Sequence, residues 1–258
     1  MNAVPQIREF EVSLPIGYAD SEGNTHRHAA LRKMTGREEA ILADRRFQNN
    51  GGKLVTELLY SCLVRVSDLS KLDRNVISGM YSADRNYLLL KLRNLTFGSD
   101  LETSYTCSAC NETMQTVENL EELPVVVLGE GETAEDVTVV LEDGYLDKDG
   151  QVHTAMSLCL PTGKDEEAVA SQMRQNPSLG KNALLARCMK SLGDMPKHRL
   201  EALGPKIMAD LTMTDRRLID RALNEAAPGV NMTRDIECLN CGHEFKATLD
   251  LTHFFVLE

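Results

Sequence analysis

Cys107-Ser108-Ala109-Cys110 and Cys238-Leu239-Asn240-Cys241-Gly242-His243 are the stretches of this chain best suited to chemistry. Each holds a Cys-x-x-Cys pair, and a two-residue spacing lets both sulfurs of a knuckle turn toward one ion. Two pairs supply Cys107, Cys110, Cys238 and Cys241, the full ligand set of a structural zinc. Iron in a rubredoxin-like site has the same geometry. Redox-active dithiols and buried free thiols are the other readings. The redox reading wants a Cys-x-x-Cys at a helix N-terminus, where the dipole lowers a thiol pKa. Here Asn111-Glu112-Thr113 and Gly242-His243-Glu244 read as turns from knuckle into strand. His243 is a further candidate ligand in place of one cysteine. A site saturated by protein ligands leaves no position for water or substrate, so it reads as structural rather than catalytic.

The elements that must position these pairs follow from periodicity. Val12, Leu14 and Ile16 alternate with Glu11 and Ser13, which predicts a strand over residues 8–16. Asp20-Ser21-Glu22-Gly23-Asn24 is a turn, and Thr25 to Arg32 reads as the returning strand of a hairpin. Thr35-Gly36-Arg37-Glu38 has the form of a capping box, opening a helix from Gly36 to about Arg46. Leu54, Val55, Leu58, Leu59, Cys62, Leu63 and Val66 share a face at helical spacing. A short helix near Arg74 to Met80 and a longer one over Ala83 to Leu95 lead to strands near Leu101–Thr106 and Glu112–Leu120, on either side of the first cysteine pair. Gly129 to Asp136 is acidic, carries two glycines and lacks apolar periodicity, the pattern of a linker.

After that linker the chain starts again. Gly17, Tyr18, Asp20, Gly23 and His26 answer to Gly144, Tyr145, Asp147, Gly150 and His153 at one constant offset. The capping signal returns as Thr162-Gly163-Lys164-Asp165. Cys62 is matched by Cys188, Asp84-Arg85 by Asp215-Arg216, and the first cysteine pair by the second. The order of matches is unbroken, so we read a tandem duplication: a first repeat over residues 1–128, an acidic linker over 129–138 and a second repeat over 139–258. The expected fold is α+β, with two pseudo-two-fold halves, each holding a β-hairpin, several helices and a zinc-ribbon-like knuckle. Facing knuckles would then complete one four-cysteine site.

Length and charge narrow the classes. The chain has 258 residues and a net charge of -11, with no tryptophan. Net acidity disfavours general binding to phosphate backbones, since neutralising them needs basic surface. No run of about 18 apolar residues predicts a spanning helix. No apolar core of a secretory signal is visible near Met1. Seven cysteines, two Cys-x-x-Cys pairs among them, suggest a reducing compartment and metal binding rather than a disulfide framework. Cys62 and Cys188 lie among leucines and read as buried core thiols, as does Cys159 between Leu158 and Leu160. The Asp20 and Asp147 loops lack the glycine and glutamate positions of a calcium loop, and read as hairpin turns. His26 and His153 read as solvated strand positions. No P-loop, dinucleotide fingerprint, nucleophile elbow or His-Glu-x-x-His is present, and nothing asks for an enzyme.

The run Leu14-Pro15-Ile16-Gly17-Tyr18 to Gly23, with His26 and Leu31-Arg32-Lys33-Met34-Thr35-Gly36-Arg37-Glu38-Glu39, resembles the opening of the T4-type bacteriophage baseplate hub protein family. Leu88 to Gly98, the knuckle after it, and Glu237 to His243 followed by Leu251 to Phe255 are similar to that family as well. The hairpin leading into Leu-Arg-x-x-Thr-Gly is also similar to the small tail assembly chaperones of long-tailed phages. The resemblance implies a non-enzymatic protein of a contractile tail or related injection system. It would act in the host cytoplasm during assembly, or within the virion tail baseplate, with hub or tape-measure proteins as partners. The alternative is a zinc-ribbon module acting on nucleic acid or transcription machinery.

Overall fold

The computed structural model describes residues 8–226 and 228–249. It mixes helix and sheet, with eight α-helices and five small antiparallel sheets among those residues. β1 (Phe10–Ala19) and β2 (Thr25–Leu31) form a hairpin; α1 (Gly36–Leu42) and α2 (Gly51–Cys62) follow; β3 (Leu63–Val66) returns to β2. α3 (Arg74–Gly79) and α4 (Ser82–Phe97) complete a core of Val12, Leu14, Leu31, Leu58, Leu59, Ile77, Leu88 and Leu92. The hairpin β4 (Asp100–Thr106) and β5 (Thr113–Asn119) carries the first cysteine pair at its tip. One 3-10 turn (Leu120–Glu122) and the short β6 (Val125–Val126) end this set of elements.

The same order then recurs: β7 (Val137–Leu146), β8 (Val152–Leu158), α5 (Gly163–Gln175), α6 (Pro177–Cys188), β9 (Met189–Leu192), α7 (Lys197–Asp210) and α8 (Met213–Ala226). The two-residue β10 (Gly229–Val230) pairs with β6, and the hairpin β11 (Thr233–Glu237) and β12 (Glu244–Thr248) carries the second cysteine pair. The sheets β1-β2-β3 and β7-β8-β9 share one register. Phe10↔Leu31, Val12↔Ala29 and Tyr18↔His26 are answered, at a constant offset, by Val137↔Leu158, Val139↔Met156 and Tyr145↔His153. Both ladders slip at the same place, between Ser13 and Tyr18 and between Val140 and Tyr145.

The slip has a local cause. Gly17 and Gly144 sit in it with φ of 101° and 76°, a conformation that costs glycine little. The amides freed from the ladder need acceptors, because an unpaired buried N–H is costly. A fully buried aspartate on a following helix supplies them. Asp84 accepts from the Ile16 and Gly17 N–H groups, both at 2.8 Å. Asp215 accepts from Glu142 at 2.6 Å and Gly144 at 2.9 Å. The neighbouring arginines match too. Arg85 Nη1 donates to Thr56 Oγ1 and the Ile77 carbonyl; Arg216 Nη1 donates to Asn182 Oδ1 and the Met208 carbonyl.

Both capping boxes form, Thr35 with Glu38 and Thr162 with Asp165. Several expectations need correction. α1 stops at Leu42, because Asp44 accepts from the Arg46 N–H at 2.9 Å and turns the chain. The helix expected through Val66 ends at Cys62, and Leu63–Val66 is strand β3: pairing with β2 outweighs the helical apolar face. His26 and His153 are buried, not solvated; each ring Nε2 meets the turn aspartate, Asp20 at 2.9 Å and Asp147 at 3.3 Å. The His26 contact, with Asn24 behind it, holds the Asp20 carboxyl well below the usual range. In the expected linker, Val137 and Thr138 already belong to β7.

The two sets do not pack as a two-fold pair. α5 packs on α2, α3 and α4. Its positional counterpart α1 packs on α2, and among the described residues no comparable packing joins α1 to α6, α7 or α8. At this one-sided seam Ser82 N–H donates to the Pro161 carbonyl at 2.9 Å, Gly163 N–H donates to the Met80 carbonyl at 3.1 Å, and Tyr81 bridges to Thr162.

Burial raises the Asp84 carboxyl to about 6 against the two N–H bonds that favour its ionised form. The folded state therefore holds this proton more tightly than the unfolded chain does. Its linkage makes stability fall as pH rises from about 4 to about 6, by roughly 3 kcal/mol. Comparing denaturant unfolding of wild type and Asp84→Asn across that window should show this fall in the wild type alone, above the slope common to both.

Candidate metal centre

The two cysteine-bearing hairpins pack on each other around Leu101, Tyr105, Met114, Leu120 and Leu249, with Cys107 and Cys238 buried beside them. Each tip has the same backbone. Cys107 N–H donates to the Glu112 carbonyl at 2.8 Å and Asn111 N–H to the Cys107 carbonyl at 2.9 Å. In the second tip, Cys238 N–H donates to the His243 carbonyl at 2.9 Å and Gly242 N–H to the Cys238 carbonyl at 2.8 Å. Asn111 and Gly242 both have left-handed φ, 59° and 70°, which turns the chain back directly after the second cysteine. Asparagine and glycine are the residues that reach this region most cheaply.

This turn aims all four thiols at one point. The Sγ atoms lie within 4.8 Å of one another. Cys107 faces Cys241 at 3.8 Å, and Cys110 faces Cys238 at 3.6 Å. A tetrahedral four-sulfur zinc site with bonds of about 2.3 Å has S···S edges of about 3.8 Å. The separations therefore match metal coordination and are far from a bonded S–S pair of about 2 Å. Cys110 and Cys241 are exposed, so the cluster has a buried floor and an open rim. The Glu112 backbone N–H, followed by the Asn240 side chain, holds the Cys110 thiol down to about 6. Ala109 N–H points at Cys107 Sγ at 3.4 Å and Asn240 Nδ2 at Cys110 Sγ at 3.7 Å, the donors that suit a thiolate.

His243 lies outside this group. Its Nε2 meets Ser108 Oγ at 3.2 Å and its ring stacks on Phe245 with 6.2 Å between centroids. The remaining cysteines lie elsewhere in the fold. Cys62 and Cys188 are buried at the ends of α2 and α6, and burial pushes the Cys62 thiol up to about 12. Cys159 is partly buried just past β8, its N–H bonded to the Cys188 carbonyl at 2.8 Å.

A second polar device ties the hairpins together. Glu118 of β5 is buried; its Oε1 accepts from Tyr105 OH at 3.1 Å and its Oε2 meets Arg234 Nε of β11 at 3.0 Å. Burial, then the Glu118 charge, pushes the Tyr105 hydroxyl up to about 12. The sequence contained no signal for this clasp, because its members are spread over three strands. A cleft of about 900 Å³ lies between α4, α6, α8 and the second hairpin, where Lys181 and Asp220 pair at 2.5 Å.

A family model described as T4 bacteriophage base plate protein matches residues 7–256, nearly the whole chain. The chain belongs to that family. Its role is therefore that of a phage base plate structural protein, which assembles with other tail proteins. No curated protein and no solved structure matches it. No helix among the described residues of this base plate family member is long and apolar enough to cross a membrane.

The clasp is testable apart from any metal. Arg234→Met should leave Glu118 half-paired in a buried site and cost about 1–2 kcal/mol. Hydrogen exchange should read the loss as faster opening of β5 and β11 together, with the β1-β2-β3 sheet unchanged.

Proposed function

We propose that this chain is a non-enzymatic structural or assembly protein of a phage-type tail base plate, built as a tandem duplication whose two knuckles share one structural zinc. The observation that carries the metal reading is the reciprocal pairing of Cys107 with Cys241 and Cys110 with Cys238 at tetrahedral edge lengths. The duplication is supported by the shared register, the paired buried aspartates and the paired arginine contacts. On this reading the repeats cover residues 1–128 and 139–258, joined by the segment 129–138. Zinc supplies cross-linking here and no open coordination position, so Cys107, Cys110, Cys238 and Cys241 hold the hairpins together rather than turn over a substrate.

A protein partner suits the surface better than nucleic acid. The hairpins around the knuckles expose Glu102, Glu112, Glu237 and Glu244, carboxylates that repel phosphate. The partners we infer are base plate hub or tape-measure proteins, met in the host cytoplasm during assembly, with the virion tail as the final location.

Metal analysis of the purified chain should find one zinc per chain; iron would replace zinc in this reading, and two ions or none with all thiols reduced would overturn the shared site. Structural zinc contributes on the order of 10 kcal/mol to the folding of small domains. Cys107→Ser should therefore speed hydrogen exchange in β11–β12 as well as in β4–β5, and Cys238→Ser should do the same in reverse. Loosening confined to the mutated hairpin would sink the shared site. Co-purification with hub or tape-measure proteins tests the partner assignment.

A further inference from the structure

The seam between the two sets of elements is one-sided, and among the described residues nothing covers either of its unmatched faces. Within the chain, the face made by α2, α3 and α4 meets the β8–α5 loop. The positional counterparts of these two surfaces are the face of α6, α7 and α8, and the β2–α1 loop. Each part of the seam can be traced to its counterpart.

Gly163 is buried, and its Cα lies so close to the Arg85 guanidinium that a Cβ there would collide with it. The corresponding Gly36 is exposed, with nothing near the position of a Cβ. Arg85 is fully buried against Glu166 at 3.5 Å. Arg216 has its Nη1 held in the same way as that of Arg85, yet it is partly exposed, while Glu39, the counterpart of Glu166, is exposed. The backbone bonds of the seam also have unused counterparts. Where Ser82 N–H meets the Pro161 carbonyl and Gly163 N–H meets the Met80 carbonyl, the matching groups are Met213 N–H, the Met34 carbonyl, Gly36 N–H and the Leu211 carbonyl. None of these four has a backbone partner outside the helices among the described residues. Met213, at the matching helix start, exposes 67% of its surface.

Charge fits as well. In the seam, Lys164 Nζ lies over Gly79. The counterparts are Arg37 and Asp210, which are opposite in sign and both exposed, Asp210 in a surface pair with Lys206 at 3.0 Å. Around Arg37 a surface hollow is lined by Arg8, Phe10, Lys33, Thr35 and Arg32, the last already paired with the buried Glu38 at 2.7 Å.

We propose that a second copy of this chain docks its α6–α8 face on the β2–α1 loop of the first, repeating between chains the contact made within each. The inference rests on the duplication reading above. A contact between unlike faces is heterologous, so association continues head to tail until the rotation closes it. Arg216 and Asp210 of one copy then face Glu39 and Arg37 of the next.

The test is sedimentation of the full, metal-loaded chain over a concentration series. Wild type should exceed the monomer mass of 28.6 kDa as concentration rises. Gly36→Trp blocks the loop, and Asp210→Arg places like charges against Arg37; each should weaken association about tenfold or more. Neither change touches the folded monomer's interior, and circular dichroism and metal content check this. Mixed one to one, the two variants retain one intact face each and should form a dimer and nothing larger. Arg37→Asp added to Asp210→Arg in one chain should restore association. A chain that stays monomeric throughout while binding one zinc overturns the docking and leaves the metal reading standing. Self-association indifferent to both variants overturns it too. Association that responds to the variants in a chain without metal supports the docking and counts against the zinc.

Discussion

A guanidinium with no exposed surface fixes how the two sets of elements meet. Burying a charge costs several kcal/mol unless its donors are met. Arg85 spends its donors on the Thr56 hydroxyl and on the Ile77 and Gly52 carbonyls, which locks α2, α3 and α4 around it. Its remaining face looks out of that set, toward Glu166 and the bare Cα of Gly163. α5 can approach this closely only because glycine begins it. Thr56 donates in turn to Glu167, and Asn50 Nδ2 to the Glu167 carbonyl at 3.0 Å, so one buried cation organises a polar seam across otherwise apolar helices.

Two further ties act at a distance from this seam. Arg27 donates to the carbonyls of Leu128, Gly129 and Glu132 at 2.8, 2.7 and 2.6 Å, which staples the acidic connection to the first hairpin. The connection is acidic by composition, yet what holds it is its carbonyls, and the Glu132 carboxylate caps the Gly129 N–H at 2.7 Å. The knuckles form the third tie. Closing a loop of more than a hundred residues costs little more entropy than closing one half as long. Linking Cys107 to Cys241 would therefore cost only slightly more for their distance in sequence, and the packed hairpins already bring the thiols together.

What could be read from the sequence was local. The capping boxes at Thr35 and Thr162, the hairpin turns at Asp20 and Asp147 and the cysteine pairs are set by side chains a few residues apart. They emerged where their patterns said. The strand Leu63–Val66 was hidden because Leu63 and Val66 also extend the helical face of α2, and only the β2 edge decides between the two. The buried histidines were hidden for a similar reason: a polar residue in a strand reads as solvated until the aspartate across the turn is placed beside it. Asp84-Arg85 and Asp215-Arg216 were visible as matching pairs, but the slipped ladders that the aspartates satisfy lie 68 and 73 residues away in sequence, and the Glu166 that Arg85 meets in the seam is more distant still. The one-sided packing had no signature at all, since matched sequences predict matched folds and say nothing of how they dock.

The helices of the two sets meet through unlike faces, whereas the thiols meet reciprocally, Cys107 with Cys241 and Cys110 with Cys238. The resolution lies where each hairpin leaves its helix. On the first side Arg93 of α4 donates to the carbonyls of Gly98 and Asp100, pinning β4 to its own helix. At the matching position in α8 stands Asn224, and no such pin forms among the described residues. There Gly229 and Val230 pair instead with Val126 and Val125, and Gly229 lies against Ala83 of α4. The second hairpin therefore packs with the first set of elements, with Leu90 of α4 beneath the shared core. Arg93 thus ties the first hairpin to its own helix, the β6–β10 pair ties the second hairpin to the first set of elements, and with both attachments in place the four sulfurs lie within 4.8 Å of one another.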